Sequence, residues 1–169
     1  MKSLHLETPR LNLKPFELDA AQHILDLDSD EEVVRYVGGP SCSDLESARE
    51  ILQDIILPQY EKYGLGRLAV YLKETGAFIG WCGVKFKEEE SEYDLGYRFF
   101  RGYWGKGYAT ESAKAALEFG HKVCKLKRIV GTADVLNTGS VHVLEKLGMK
   151  FEKFDFAHGG KIAVYASER

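Results

Sequence analysis

The spacing of apolar residues along the chain predicts blocks of strand and blocks of helix. Leucines recur at every second position on both sides of Pro9 over residues 4–14, which is typical of a strand with a break in it. Further along, Glu74-Thr75-Gly76 and an acidic run separate three β-rich stretches, which span residues 68–72, 78–86 and 93–100. This order of strands and short turns predicts an antiparallel meander.

Two blocks with helical spacing precede the meander. One covers residues 20–27, and Asp19 is placed to cap it. The other begins at Ser43 or Asp44, and Pro58 is expected to kink or shorten it. Its apolar stripe comprises Leu45, Ala48, Ile51, Leu52, Ile55 and Ile56. The polar stretch between the two helices contains a clear helix breaker, Gly38-Gly39-Pro40.

The second half of the chain changes from strand to helix and back. Residues 109–120 have helical spacing and lie between the last meander strand and a strand over residues 128–134. Strand, helix and strand in this order form a βαβ unit, whose two strands are expected to be parallel and connected right-handedly. A short helix over residues 140–147 and a hairpin around Gly159-Gly160 complete the pattern. The sequence therefore predicts an α/β domain with a mixed sheet.

Composition and charge narrow the classes of function. The chain has 169 residues with 44% apolar and 29% charged side chains, and its net charge of −3 argues against a general nucleic-acid binder. The sequence shows no apolar run of membrane-spanning length, and its N-terminus lacks the apolar core of a signal peptide. The three cysteines, Cys42, Cys82 and Cys124, show no metal-ligand spacing. We therefore expect a cytoplasmic protein with reduced thiols, no bound metal, and no nucleic-acid or membrane partner.

One glycine-rich segment points to a chemistry. Residues 101–107 join a strand to the N-terminus of a helix, where the first backbone N–H groups lack intrahelical partners and the helix dipole favours negative charge. Glycines in such a turn let the backbone approach an anion closely. Together these features form a phosphate cradle, to which Lys106 adds a charge unless its side chain points to solvent. By itself the turn leaves a plain strand-to-helix connection as an equal alternative.

This turn and three other segments resemble the GNAT N-acetyltransferases, in the form found in the ribosomal-protein N-terminal acetyltransferases. The acetyl-CoA pyrophosphate loop of that family is similar to Trp104-Gly105-Lys106-Gly107-Tyr108-Ala109-Thr110-Glu111. The other segments match in the right order, and they are Thr8-Pro9-Arg10-Leu11-Asn12-Leu13, Asp94-Leu95-Gly96-Tyr97, and Asn137-Thr138-Gly139-Ser140 with Leu144-Glu145-Lys146-Leu147-Gly148-Met149. The resemblance covers essentially the whole chain. One departure is Trp104, where many members of the wider family have Arg or Gln.

The resemblance implies a fold and a cosubstrate. The implied fold is one GNAT domain over residues 1–169, with a mixed, mostly antiparallel sheet of about seven strands, a central splayed parallel pair and about four helices. Acetyl-CoA would be the donor, with its pantetheine arm paired in the splayed cleft along Phe99 and Phe100. Core packing is the alternative role of these two residues. The pyrophosphate would lie on the loop of Trp104, Gly105, Lys106, Gly107, Tyr108, Ala109 and Thr110.

The last matching segment supplies two candidate residues beside the expected thioester. Asn137 would contact the pantetheine or adjacent backbone, and its alternative role is that of a helix cap or turn residue. Ser140 would bring a hydroxyl near the sulfur, because the leaving thiolate needs a proton or a hydrogen bond as the tetrahedral intermediate collapses. The alternative for Ser140 is an ordinary serine at a helix N-terminus.

The attacking amine must lose a proton, so the site also needs a proton acceptor. Asp94 and Glu92 lie on one face of the strand that leads into the cleft. We prefer Asp94, which falls on the family's acidic position before Gly-Tyr, and a structural carboxylate is its alternative role. His142 lies two residues past Ser140 and is expected to point away from it. Direct attack in a ternary complex needs no covalent enzyme intermediate, which agrees with the lack of an obvious Cys/His pair in the sequence.

The acceptor is less well defined than the donor. The subgroup implies a protein N-terminal amine, and a small amine or amino acid is an alternative within the same chemistry. Residues 28–45, the second helix and the hairpin over residues 156–161 are expected to grip it. Tyr36 and Trp81 would line that pocket or belong to the aromatic core. A non-catalytic acyl-CoA sensor that keeps the fold is a further alternative, and a homodimer is compatible with the subgroup.

Overall fold

A computed structural model describes residues 4–37 and 41–169, which build a mixed sheet with helices on both faces. The expected helix breaker, Gly38-Gly39-Pro40, lies outside the described residues. The strands in the described part are β1 (Leu6–Glu7), β2 (Leu11–Pro15), β3 (Arg67–Leu72), β4 (Phe78–Lys87), β5 (Glu92–Phe99), β6 (Arg128–Asp134), β7 (Lys150–Ala157) and β8 (Gly160–Glu168). Its α-helices are α1 (Ala21–Asp28), α2 (Glu31–Val34), α3 (Leu45–Glu50), α4 (Leu57–Tyr63), α5 (Tyr108–Glu118) and α6 (Thr138–Lys146).

The sheet contains one parallel pair. Its strand order is β1-β2-β3-β4-β5-β6-β8-β7, and all neighbours are antiparallel except β5 and β6. These two strands share only two register pairs, Asp94 with Val130 and Leu95 with Gly131, and then separate. The predicted mixed, mostly antiparallel sheet with a splayed parallel pair is therefore confirmed, with eight strands in the described residues where about seven were expected.

Two apolar clusters pack on opposite faces of the sheet. α5 and α6 cover one face, to which they contribute Ala113 and Leu144. α1 and α3 cover the other face, together with the helical turns that follow α3, and Ile24 and Leu52 are buried there. Because side chains alternate along a strand, neighbouring residues of β5 face different helices, and this alternation determines which groups reach the site.

The start of α3 follows the capping rules, but the start of α1 does not. Asp44 caps α3 by accepting the Ser47 N–H at 2.7 Å, and Ser47 Oγ accepts the Asp44 N–H in return. This confirms the predicted start. The prediction that Asp19 caps α1 is wrong, because a 3₁₀ turn over Leu18–Ala20 precedes the helix. Asp19 therefore lies within helical backbone. The N-cap of α1 is Ala20, whose side chain makes no capping hydrogen bond.

α3 and α4 form one helical stretch that passes Pro58. Wider π-type turns over Ile51–Ile56 join them, and they allow the helix to accommodate a residue that lacks an N–H and crowds the preceding carbonyls. The stretch ends at Gly64, whose φ is +66°. The wider turns also rotate the apolar stripe, so that Leu52 is buried while Ile55 is 36% exposed.

The polar stretch after α1 contains α2, which the hydrophobic pattern did not predict. Asp30 caps this helix by accepting the Glu32 N–H at 3.0 Å. Val33 and Cys42 are both buried, and Cys42 belongs to the apolar cluster on the α1 face of the sheet. A helix of four residues is shorter than one repeat of an apolar stripe and therefore leaves no periodic signal.

Candidate active site

In the part of the chain that the structure describes, the turn between β5 and α5 has backbone N–H groups without a protein acceptor. Gly105 and Gly107 have φ values of +72° and +83°, in the left-handed region that glycine adopts readily. Gly107 is the N-cap of α5, and as a glycine it has no side chain with which to cap the helix. The N–H groups of the first turn are therefore available to a ligand, at the end of the helix where the dipole favours an anion.

The same helix end is tied to the start of β2. Glu111 accepts hydrogen bonds from Thr8 Oγ1 at 2.6 Å, from the Arg10 backbone N–H at 2.9 Å and from Arg10 Nε at 2.6 Å. Arg10 also donates from Nη1 to the Lys106 carbonyl at 2.9 Å, and its guanidinium lies 4.4 Å from the centroid of the Tyr108 ring. Burial by itself would raise the pKa of Glu111, but these hydrogen bonds outweigh burial and hold that pKa below its usual value.

The open edge of β5 lies where the parallel strands separate. Phe100 donates its N–H to the Ile79 carbonyl at 3.0 Å, so by alternation the N–H and C=O of Phe99 point away from β4, towards the cleft. The Phe99 side chain is buried, and Phe100 lies edge-on to Phe78 with ring centroids 5.9 Å apart. Trp104 folds back over this edge, because its Nε1–H donates to the Phe99 carbonyl at 2.9 Å.

Ser140 lies in the first turn of α6, beside the cleft. Its N–H donates to Asn137 Oδ1 at 3.2 Å, which makes Asn137 the N-cap of the helix. The Tyr97 hydroxyl lies 2.9 Å from Ser140 Oγ and donates to the Ser140 carbonyl at 3.0 Å. Burial raises the pKa of Tyr97, so the phenol stays protonated at neutral pH. These bonds hold the serine hydroxyl against β5.

The carboxylate of Asp94 lies on the opposite face of β5 from the Tyr97 side chain. Its Oδ2 accepts a hydrogen bond from Arg67 Nη2 at 2.6 Å, and both side chains are largely buried. Arg67 reaches it across Gly96, where a Cβ would lie 2.5 Å from the guanidinium. The glycine in Asp94-Leu95-Gly96-Tyr97 therefore makes room for an arginine that holds the carboxylate.

A buried ion pair holds the polar stretch after α1 against β5. Asp28 pairs with Arg98, and their side chains are only 1% and 7% exposed. The same carboxylate accepts the Cys42 N–H at 3.1 Å, so it joins the start of the stretch, its end and the sheet. Trp81 lies between Arg98 and Arg67, with each guanidinium carbon 5.2 Å from the ring centroid. Trp81 is thus packed among charged side chains on the α1 face of the sheet.

The structure brings some of the candidate residues together and separates others. Ser140 and the glycine turn belong to the α5 and α6 face, whereas Asp94 faces α1 and α3. Glu92 pairs with Arg128 at 3.6 Å, and His142 is exposed on α6.

Sequence reasoning missed two residues at the site. Tyr97 is the partner of Ser140, and Arg10 is the partner of the glycine turn. Both lie in segments that match the family, and that match was the only signal for them in the sequence.

Three further observations concern reactive thiols, metal sites and membrane-spanning helices. Burial raises the pKa of Cys42 to about 11 and that of Cys82 to about 12, so both thiols stay protonated at neutral pH. Within residues 4–37 and 41–169, no three His, Cys, Asp or Glu side chains are grouped to hold a metal ion. No helix in these ranges has the length and apolar character to cross a membrane. A cytoplasmic location, a homodimer and a single domain over residues 1–169 stay predictions.

Comparisons with other sequences agree with the geometry. A family model for the acetyltransferase (GNAT) domain matches residues 10–150. The chain is 32% identical over 165 residues to an uncharacterised N-acetyltransferase of Bacillus licheniformis, and the match covers 95% of this chain and 92% of that protein. It is 24% identical over 143 residues to the spermidine N(1)-acetyltransferase of Escherichia coli, across 84% of this chain and 74% of that protein.

Solved structures show the same fold. A GNAT-family acetyltransferase from Bacillus anthracis superimposes with a TM-score of 0.81 at 28% identity, covering 97% of this chain and 98% of that one. The ribosomal-protein N-terminal acetyltransferase RimL, in complex with coenzyme A, superimposes with a TM-score of 0.81 at 15% identity, covering 97% of each chain. At that identity the second likeness concerns the fold alone. With the family model spanning most of its length, this chain belongs to the GNAT family and is an N-acetyltransferase.

Proposed function

We propose that this enzyme transfers the acetyl group of acetyl-CoA to a protein N-terminal amine by direct attack in a ternary complex. The observation that carries the donor half is the uncapped first turn of α5 beside the open edge of β5. The turn offers N–H groups to a pyrophosphate. Phe99 offers an amide-bearing arm its backbone N–H and a C=O that also accepts the Trp104 indole N–H. The residues proposed to hold acetyl-CoA are Phe99, Phe100, Trp104, Gly105, Lys106, Gly107, Tyr108, Ala109, Thr110, Asn137 and Ser140.

The space around the turn fits a bulky anion. A Cβ added at Gly105 would meet no heavy atom within 4 Å, so open space adjoins the backbone there. The Lys106 side chain is exposed, and its Nζ lies 5.8 Å from the Tyr103 ring centroid. The turn therefore combines backbone donors, an adjacent cation and room for a ligand, which supports a pyrophosphate site.

Ser140 is the proposed acid. Its hydroxyl donates a hydrogen bond to the sulfur as the carbon–sulfur bond breaks, which stabilises the leaving thiolate. The Tyr97 O–H is close enough to donate either to the Ser140 carbonyl or to Ser140 Oγ. When it donates to Oγ, the proton of Ser140 is free to point at the sulfur.

Asp94 is the proposed acceptor of the ammonium proton. Arg67 occupies Oδ2, and Oδ1 lies 4.0 Å from Lys87 Nζ. Replacement by Asn tests this role: a base is expected to show a large loss of kcat at neutral pH that shrinks as the pH rises and the free amine accumulates. A carboxylate with a structural role alone would instead lower the melting temperature and leave the pH profile unchanged.

A small amine is the second candidate acceptor, since the matched relative from Escherichia coli is named for spermidine. Thiol release can be measured with peptides that have a free N-terminus, with the same peptides blocked at the N-terminus, and with spermidine. We expect release with the free peptides only. Release with spermidine alone would favour the small amine, and a bound donor with no release from any acceptor would favour a sensor.

Binding of the donor is tested separately by thermal denaturation with and without acetyl-CoA. A ligand at 100 times its Kd that binds only the folded state adds about 2.7 kcal/mol of stability. We therefore expect a clear rise in melting temperature with acetyl-CoA and with CoA. No shift at saturating cosubstrate would contradict the donor site itself, and the transferase and sensor hypotheses would both be wrong.

A further inference from the structure

We propose that Arg10 is a positioning residue for acetyl-CoA, because it sets the direction of the backbone N–H groups in the glycine turn. The proposal rests on the donor site described above. Arg10 lies 96 residues before Lys106 in sequence and reaches the turn with its side chain, so the pairing of strands does not impose this contact.

The contact that sets the direction joins Arg10 Nη1 and the Lys106 carbonyl, 2.9 Å apart. In a planar trans peptide, the C=O of one residue and the N–H of the next point in opposite directions. Holding the Lys106 carbonyl towards Arg10 therefore turns the Gly107 N–H to the other side of the turn. Within the described residues no protein group accepts a hydrogen bond from that N–H, which leaves it for a ligand.

Arg10 is itself held on several sides. Its Nε bonds to one oxygen of Glu111, its backbone N–H bonds to the other, and its guanidinium lies over the Tyr108 ring. Thr8 Oγ1 donates to the same carboxylate at 2.6 Å, so both oxygens of Glu111 are occupied. A guanidinium with this many fixed contacts can hold a peptide group in one orientation, which a mobile lysine ammonium cannot do as well.

The ion pair of Arg10 and Glu111 also offsets an electrostatic repulsion. Glu111 lies in the first turn of α5, and an uncompensated carboxylate there would repel the pyrophosphate that the helix end is proposed to bind. Arg10 and Thr8 hold this carboxylate against the start of β2. The guanidinium meanwhile remains beside the turn, since a Cβ at Gly107 would lie 3.3 Å from Nη2.

The test compares Arg10→Gln and Arg10→Lys with a matched control on the same helix. Glu118 pairs with Lys122 at 3.0 Å at the far end of α5, so Glu118→Gln removes an exposed ion pair without touching the turn. Calorimetry gives the Kd for CoA, and steady-state kinetics give the KM for each substrate. We expect Arg10→Gln to raise the Kd and the KM for acetyl-CoA about tenfold to 100-fold, with the acceptor KM unchanged. Arg10→Lys is expected to fall between, and Glu118→Gln to match the wild type.

Three outcomes separate the proposal from the function on which it rests. If the wild type binds CoA and folded Arg10→Gln binds it equally well, the positioning role is wrong and the donor site stands. If the wild type does not bind CoA, the donor site itself is wrong. If Arg10→Gln is less stable than the wild type, a second measurement is needed. The Kd for CoA of the double variant Arg10→Gln with Glu111→Gln, measured well below its melting temperature, then distinguishes two roles of Arg10. Restored affinity would mean that Arg10 only neutralised Glu111, whereas persistent weak binding supports the control of the peptide direction.

Discussion

Two carboxylate–guanidinium pairs join distant segments on the two sides of the cleft, and they differ in burial. Glu111 and Arg10 hold the donor loop with side chains 17% and 45% exposed. Asp28 and Arg98 hold the segment proposed for the acceptor with side chains 1% and 7% exposed. Water screens an exposed pair, whereas a buried pair that loses one partner leaves an uncompensated charge. The first pair can therefore tune the shape of a loop, and the second secures a whole segment on the sheet.

Asp28→Asn is the strongest test of this contrast. It leaves Arg98 buried without a counter-charge, so we expect a loss of about 3–5 kcal/mol in the free energy of unfolding, measured by urea denaturation. The matched control is Asp30→Asn, which breaks the exposed pair with Arg101 at 3.0 Å and keeps a side chain able to cap α2. The control is expected to cost less than about 1 kcal/mol. Equal small losses in the two variants would mean that the buried pair does not secure the segment.

Ser140→Ala tests the chemistry between the two sides. Loss of the proposed acid is expected to lower kcat about 100-fold with little change in the KM for acetyl-CoA. Thr138→Ala, at the exposed first residue of the same helix, provides the control and is expected to keep its kcat. If Ser140→Ala turns over as fast as the wild type, Ser140 is only the start of a helix.

Gly107→Asp acts on the donor side alone. A Cβ there would lie 3.3 Å from Arg10 Nη2, so the added carboxylate competes with the Lys106 carbonyl for the guanidinium and opposes the pyrophosphate. We expect the KM for acetyl-CoA to rise about tenfold to 100-fold, consistent with the repulsion of nearby like charges at a partly exposed site. Gly107→Asn tolerates the left-handed conformation without the charge and is expected to show a smaller rise. Similar KM values in the wild type and the Asp variant would mean that the turn does not bind the pyrophosphate.

Tyr97→Phe has the smallest expected effect. It removes one hydrogen bond to Ser140, worth about 0.5–1.5 kcal/mol, so kcat should fall by up to about tenfold. In a Ser140→Ala background the same change should have little further effect on kcat, because the hydroxyl that Tyr97 contacts is gone and only its bond to the carbonyl of residue 140 is lost. Additive losses in the double variant would show that Tyr97 acts independently of Ser140.

The donor side could be predicted from the sequence because its elements are local. A strand, a glycine turn and a helix follow one another directly, and β6 begins and ends where the pattern placed it. The family motif then assigned the turn a ligand. The motif could not predict the hydrogen bond between Arg10 and the Lys106 carbonyl, since the two residues are 96 positions apart.

The other side could not be predicted in the same way, because its contacts are distant and depend on irregular backbone. Asp28 and Arg98 are 70 residues apart, and neither belongs to a recognisable motif. α2 is too short to leave a periodic pattern, and Ile55 was misplaced because π-type turns rotate the helix ahead of Pro58. These are the parts of the molecule expected to grip the acceptor, which is why the sequence defines the donor more sharply.

The indole of Trp104 gives the enzyme an intrinsic optical reporter. Its N–H is bonded to the Phe99 carbonyl, and the side chain is 47% exposed, so its emission depends on whether that bond is made. The other tryptophan of the chain, Trp81, lies beside two guanidinium groups on the α1 face of the sheet and adds its own emission. A ligand that donates a hydrogen bond to the Phe99 carbonyl competes with the indole for that oxygen. Stopped-flow fluorescence without an added dye would then record how fast a substrate replaces the Trp104 indole at the Phe99 carbonyl.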